Sequence, residues 1–171
     1  MFLSKTKKAM SYFLLVGILS FFNHAWALGS DRSKPMHIEA DLADINEKTG
    51  ISIYTGNVVV IQGSLRITAE KLTIYSKNKV FEKMISIGNP ATFKTRPDGK
   101  DQDVRGKGKR IEYFTTRDTV YFIDDAQLEQ DGSKFDSDRI VYDILNDKVN
   151  AGLTKGDDRV RIIIQPKKIT R

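Results

Sequence analysis

The sequence predicts an all-β fold in which two sheets face each other and roll along one axis, and three observations carry that prediction. No window sustains a 3.6-residue apolar period, whereas β-branched and aromatic residues alternate over short runs between turn signals throughout. The chain also repeats itself: at an offset of 68, YTGNVVVIQGSLRITAEKLTIY lies over FIDDAQLEQDGSKFDSDRIVYD with turn pairs, small residues and apolar positions in step. Finally, two kinds of corner marker alternate along the chain, four of each, which implies about sixteen short antiparallel strands, too many for one flat sheet.

Residues 1–27 stand apart from the fold. Lys5, Lys7 and Lys8 precede the apolar run MSYFLLVGILSFF, which meets Ala25, Trp26 and Ala27, the pattern of a secretory signal peptide cleaved after Ala27. The run is shorter than the roughly 20 residues that span a bilayer. Cleavage leaves a single domain, 28–171, with 25 basic residues against 22 acidic, a net of +3. That balance is too weak for a nucleic-acid reader, so no nucleic-acid partner is expected. Without cysteine, this exported domain must hold its fold by packing alone.

The first corner is a small residue followed by a charged one: Ala40-Asp41, Ala69-Glu70, Gly108-Lys109 and Ser137-Asp138. The second is Gly or Asp followed by Asn or Asp: Gly56-Asn57, Gly88-Asn89, Asp124-Asp125 and Gly156-Asp157. Around each first corner, apolar or small residues sit two before (Ile38, Ile67, Gly106, Phe135) and three and five after (Ala43 and Ile45, Leu72 and Ile74, Ile111 and Tyr113, Ile140 and Tyr142). A parity change of this kind requires a bend or bulge. The second corners are expected to behave alike, with Ile53, Ile85, Tyr121 and Leu153 inward before them and Val58 and Ala126 after. Gly88 departs, because Ala91 and Phe93 fall inward there, and Pro90 marks a sheet edge or a bend.

The run Val58-Val59-Val60-Ile61 does not alternate, but the repeat resolves it. Beneath it lie Ala126, Gln127, Leu128 and Glu129, so Val58 and Val60 face inward while Val59 and Ile61 face out.

Few residues offer catalytic or metal chemistry. His37 is the only histidine left after processing and stands on the outward side, so neither a nucleophile–base pair nor a zinc site has its parts, and no metal or cofactor is expected. Asp124 and Asp125 recur at a corner as turn chemistry, so no enzyme is expected. The run RGKGKR, 105–110, lacks the form of a phosphate loop and reads as a solvated, edge-protecting strand, with phosphate binding through Arg105, Lys107, Lys109 and Arg110 as the alternative. The terminal QPKKITR reads the same way.

What remains is an inward stripe: Met36, Ile38, Ile53, Val58, Val60, Leu65, Ile67, Leu72, Ile74, Phe93, Tyr113, Tyr121, Leu128, Phe135, Ile140 and Tyr142. The interior of a closed sandwich and a lipid-binding groove look alike in sequence, so the stripe alone leaves both readings open.

The blocks PMHIEAD (35–41), YTGNVVVIQGSLRITAEKL (54–72), GNPATF (88–93) and the second copy from Tyr121 to Tyr142 together resemble the periplasmic lipopolysaccharide transport protein A family over almost all of the mature chain. The same fold unit occurs in that family's inner-membrane bridge partner and in the periplasmic part of the outer-membrane translocon. The resemblance implies an elongated, open β-jelly roll whose apolar stripe binds the acyl chains of lipopolysaccharide (lipid A). It also implies stacking head to tail with itself and with like-folded inner-membrane and outer-membrane components. Family positions that face lipid fall on Met36, Ile38, Phe93 and Tyr113. An anchored or adaptor module with a closed core is the alternative.

Overall fold

The computed structural model describes residues 31–152 and 159–166. A 3-10 turn at Asp31–Ser33 leads into ten strands: β1 His37–Glu39, β2 Leu42–Asn46, β3 Ile51–Gln62, β4 Leu65–Lys77, β5 Val80–Thr95, β6 Val104–Phe114, β7 Thr119–Gln130, β8 Ser133–Asp143, β9 Lys148–Ala151 and β10 Arg161–Ile163. The expected signal segment 1–27, Leu153, the corner Gly156-Asp157 and the tail after Pro166 lie outside the described residues.

From β3 to β8 each strand pairs antiparallel with the next, so the backbone meanders through one sheet. β1 and β2 pair successive stretches of β3, and β10 and β9 pair successive stretches of β8. The chain therefore makes eight passes, each bent or broken once at its corner, which yields the sixteen short segments that the corner count predicts.

Register explains the bends. Between Thr55/Lys71 and Val58/Ala69, β3 advances three residues while β4 advances two, and the same mismatch recurs between Ile123/Arg139 and Ala126/Ser137. The surplus is absorbed where Gly56 and Asn57, and again Asp124 and Asp125, take positive φ. Side chains then tie three of the corner pairs. Asn57 Nδ2 donates to Asp41 Oδ2 at 2.9 Å, the Asn89 amide to Glu70 Oε1 at 3.2 Å, and Lys109 meets Asp125 at 2.7 Å. Pro90 lies at such a bend, in a strand paired on both sides, rather than at an edge.

The corners divide the sheet into two leaves. Leaf A holds β1, β10 and the halves of β3–β8 that carry Val58, Ile67, Phe93, Gly106, Leu128 and Phe135; leaf B holds β2, β9 and the other halves. They close face to face. Phe93 of leaf A makes edge contacts with Tyr113 and Phe122 of leaf B, ring centroids 6.0 and 5.8 Å apart, and Gly106 leaves the space that the Phe122 ring fills.

Three expectations are corrected here. The first corners do change parity as predicted, but at Gly56 and Asp124 the inward residues lie two before, not three. Tyr54 and Phe122 therefore face the core, while Ile53 and Tyr121 face out, in register with Thr73 and Glu112. Ile85 shares that outer row yet is 7% exposed, so it too is covered from outside rather than part of the core cluster. Lastly, RGKGKR belongs to β6, which pairs with both β5 and β7, so it protects no edge.

Candidate functional site

Cross-strand register assembles the inward side chains into rows that run across the strands. In leaf A one row reads Ile38, Val60, Ile67, Phe93, Gly106, Leu128, Phe135 and Ile162. In leaf B the row nearest the corners reads Tyr54, Leu72, Ser86, Ile111, Phe122, Ile140 and Ala151, and the next passes through Ile74, Met84, Tyr113, Val120, Tyr142 and Val149. Of the predicted stripe, Val58, Val60, Leu65, Ile67, Leu72, Ile74, Phe93, Tyr113, Leu128, Ile140 and Tyr142 are buried in this cluster, and Met36, Ile38 and Phe135 pack half-buried against it. Sequence reasoning left Tyr54, Met84, Ile111, Val120 and Phe122 out of the stripe. For Phe122 the signal was present, since the 68-residue offset lays it over Tyr54.

Tyr121, turned outward, belongs to a different assembly. Its ring meets Phe114 edge-on at 5.4 Å and takes the Arg139 guanidinium at 5.2 Å, while Lys83 and Arg117 cover Phe114 and Lys83 also covers Tyr75. Cations thus sheathe the outer aromatic surface of leaf B.

Opposite the corner line, the leaf tips leave a seam. Two concavities of about 410 and 370 Å³ share Gln62 and Tyr113 and are walled by tips of both leaves. Met36, Leu65 and Pro97 stand on one side, and Val80, Phe81, Thr115 and Leu145 on the other. Val80 and Leu145 are 58% and 71% exposed, so the seam presents apolar lips to water.

Side chains, not strand pairing, hold this seam. Lys100 reaches from the β5–β6 loop of leaf A to Asp147 of leaf B at 2.5 Å, Gln130 donates to the same carboxylate, and the Tyr142 hydroxyl donates to it at 3.2 Å. Burial first, and then the Asp147 charge, push the Tyr142 phenol well above its ordinary range. On the leaf A rim, Asp31 accepts from the Ser64 amide at 2.8 Å and from its hydroxyl, and Gln62 donates to the Lys34 carbonyl at 2.9 Å. Burial alone would raise the Asp31 carboxyl, but hydrogen bonds from Lys34 and Ser64 win and hold it below the usual range.

Among the described residues neither end of the roll is capped. Ile45 at the N-terminal end and Ile162 at the C-terminal end belong to inward rows yet are 59% and 51% exposed, because no further strand covers them among the described residues. Among the described residues no group of three potential ligands could hold a metal ion, and no helix is long and apolar enough to cross a membrane.

A bent antiparallel sheet with an apolar interior and a lengthwise seam defines a β-jelly-roll framework. Known proteins agree on what kind. Residues 37–148 match the family model "LptA/(LptD N-terminal domain) LPS transport protein". The lipopolysaccharide export system protein LptH of Pseudomonas aeruginosa is 40% identical over 152 residues, covering 84% of this chain and 86% of that protein. LptA of Escherichia coli K12 is 29% identical over 168 residues, covering 96% and 90%. The crystal structure of the P. aeruginosa LptH, described as the LptA homologous periplasmic component of the conserved lipopolysaccharide transport device, superposes with a TM-score of 0.73 at 36% identity, covering 80% of this chain and 99% of that one. The chain belongs to the LptA/LptD N-terminal domain family of lipopolysaccharide transport proteins.

Proposed function

We propose that this chain is a periplasmic bridge component that carries lipopolysaccharide toward the outer membrane, with acyl chains lying between the two leaves and sugars left in water. The observation that carries the reading is the seam: an apolar interior closed along one side by covalent corners and along the other by side-chain contacts rather than strand pairing. The central rows pack against each other in this structure, so loading requires the leaves to part along that seam. Inserted chains then replace contacts between the leaves with contacts to hydrocarbon.

Magnitude favours a bridge over a shuttle. Each buried methylene contributes roughly 0.8 kcal/mol, so one chain of about twelve carbons gains on the order of 9 kcal/mol over water. Release into solvent would be slow, whereas passage into an adjoining, like-folded interior is nearly neutral. The rows and the edges of β1 and β2 at one end, and of β9 and β10 at the other, which no strand covers among the described residues, suit head-to-tail stacking by β-augmentation, with itself and with like-folded membrane components. In this reading the working protein is the single domain 28–171, exported and cleaved after Ala27, and it performs no bond chemistry of its own.

Photo-crosslinkers at Ile38, Phe93 and Val59 test the reading. Labelling of lipopolysaccharide from Ile38 and Phe93 but not from outward Val59 is expected. Equal labelling from all three would sink it.

A further inference from the structure

The basic run 105–110 divides between tasks. Lys109 is engaged at the corner by Asp125, and Arg110 on leaf B by Glu112, each at 2.7 Å. Arg105 and Lys107 instead flank inward Gly106 and therefore stand together on the outer face of leaf A. Register sets Lys94 beside Arg105 and Arg66 beside Lys94, and Lys134 follows across Glu129. These five cations, with the carboxylates of Glu129 and Asp136 among them, wall a concavity of about 460 Å³ floored by the sheet at Phe93, Gly106 and Leu128.

The cations here outnumber the carboxylates, five against Glu129 and Asp136. Asp103 is shared by Lys94, Arg96 and Arg105 at 3.4, 2.8 and 3.5 Å, and among the described residues no carboxylate comes within ion-pair distance of Arg66, Lys107 or Lys134. On leaf B, by contrast, Lys83, Arg117 and Arg139 lie on their own aromatic rings. The two outer faces thus differ in the cations they leave for an anion.

Position identifies the anion. Arg66 stands two residues from Ser64 on the leaf A rim, roughly 7 Å over the lip from the seam. From Arg66 to Lys134 the row crosses five strands, roughly 19 Å, along the direction in which the interior extends. A glycolipid whose chains enter through the seam brings its sugar-bound phosphates to this lip.

We propose that the outer face of leaf A, through Arg66, Lys94, Arg105, Lys107 and Lys134, binds the phosphate groups of the lipid headgroup while the acyl chains occupy the interior. This rests on the function proposed above. It adds a second, external track for the polar half of the cargo and a preference for phosphorylated over dephosphorylated lipid.

The test compares the full exported protein with an Arg66→Gln, Arg105→Gln, Lys107→Gln triple variant and with Lys71→Gln, an exposed cation on the outer face of leaf B. The probes are bis-phosphorylated lipid A and the same lipid with its phosphates removed, each titrated at low and high salt. The wild type and Lys71→Gln are expected to bind the phosphorylated form about tenfold more tightly, a preference that fades with salt. The triple variant is expected to lose that preference and keep its affinity for the dephosphorylated form. Equal binding of both forms by the wild type, a triple variant that keeps the preference, or a Lys71→Gln that loses it overturns this inference alone. Binding of neither form by the wild type overturns the proposed function as well.

Discussion

Phe122 and Tyr121 are neighbours with opposite duties. Phe122 is fully buried, edge-on to Phe93 and seated over Gly106, so truncating it leaves a void in the interior. Tyr121 only joins the cation-sheathed aromatic surface outside. Phe122→Ala is expected to lower unfolding free energy by about 3–5 kcal/mol, and Tyr121→Ala by less than about 1.5 kcal/mol, as read from denaturant midpoints. The reverse order would contradict the phase of β7 described here. This pair also marks where sequence reading slipped. A rule borrowed from the first corners placed Tyr121 inward, and local alternation alone cannot detect an extra residue absorbed by two left-handed positions. The partner strand, which advances two residues while β7 advances three, decides it.

At the scale of the element, the corner is the unit that the repeat copies. Gly56 takes φ +80, where a Cβ would also come within 2.2 Å of Asp41 Oδ2, the carboxylate that accepts from Asn57. Gly56→Ala is expected to cost about 1–3 kcal/mol, measured by chemical denaturation. Adding Asp41→Ala should recover only the part due to the collision, because the backbone strain stays; full recovery would show that the left-handed backbone contributes nothing. The exposed Lys109–Asp125 tie is worth far less by itself. The corners at Gly56-Asn57 and Asp124-Asp125 were legible in sequence because Gly, Asn and Asp are the residues that tolerate positive φ. The strands between them were legible because their periods broke at fixed offsets.

Across the whole molecule, the two long sides of the roll are unlike. The corner side is covalent, while the seam is closed by Lys100, Gln130 and Tyr142 gathered on Asp147. Lys100→Met is expected to leave stability nearly unchanged yet speed lipid uptake about two- to fivefold in a stopped-flow loading assay. Wild type should approach the variant at high salt, and unchanged uptake would remove this contact as the seam's fastening. From the sequence by itself came the all-β class, the corners that fall among the described residues and most of the inward stripe, because each depends on residues close in the chain. Tertiary structure alone decided which residues meet across the interior, where the seam opens, and that Arg105 and Lys107 join Arg66, Lys94 and Lys134 on one outer face. Those facts depend on register between strands, and one residue of bulge, which local periodicity does not record, moves every later side chain to the other face.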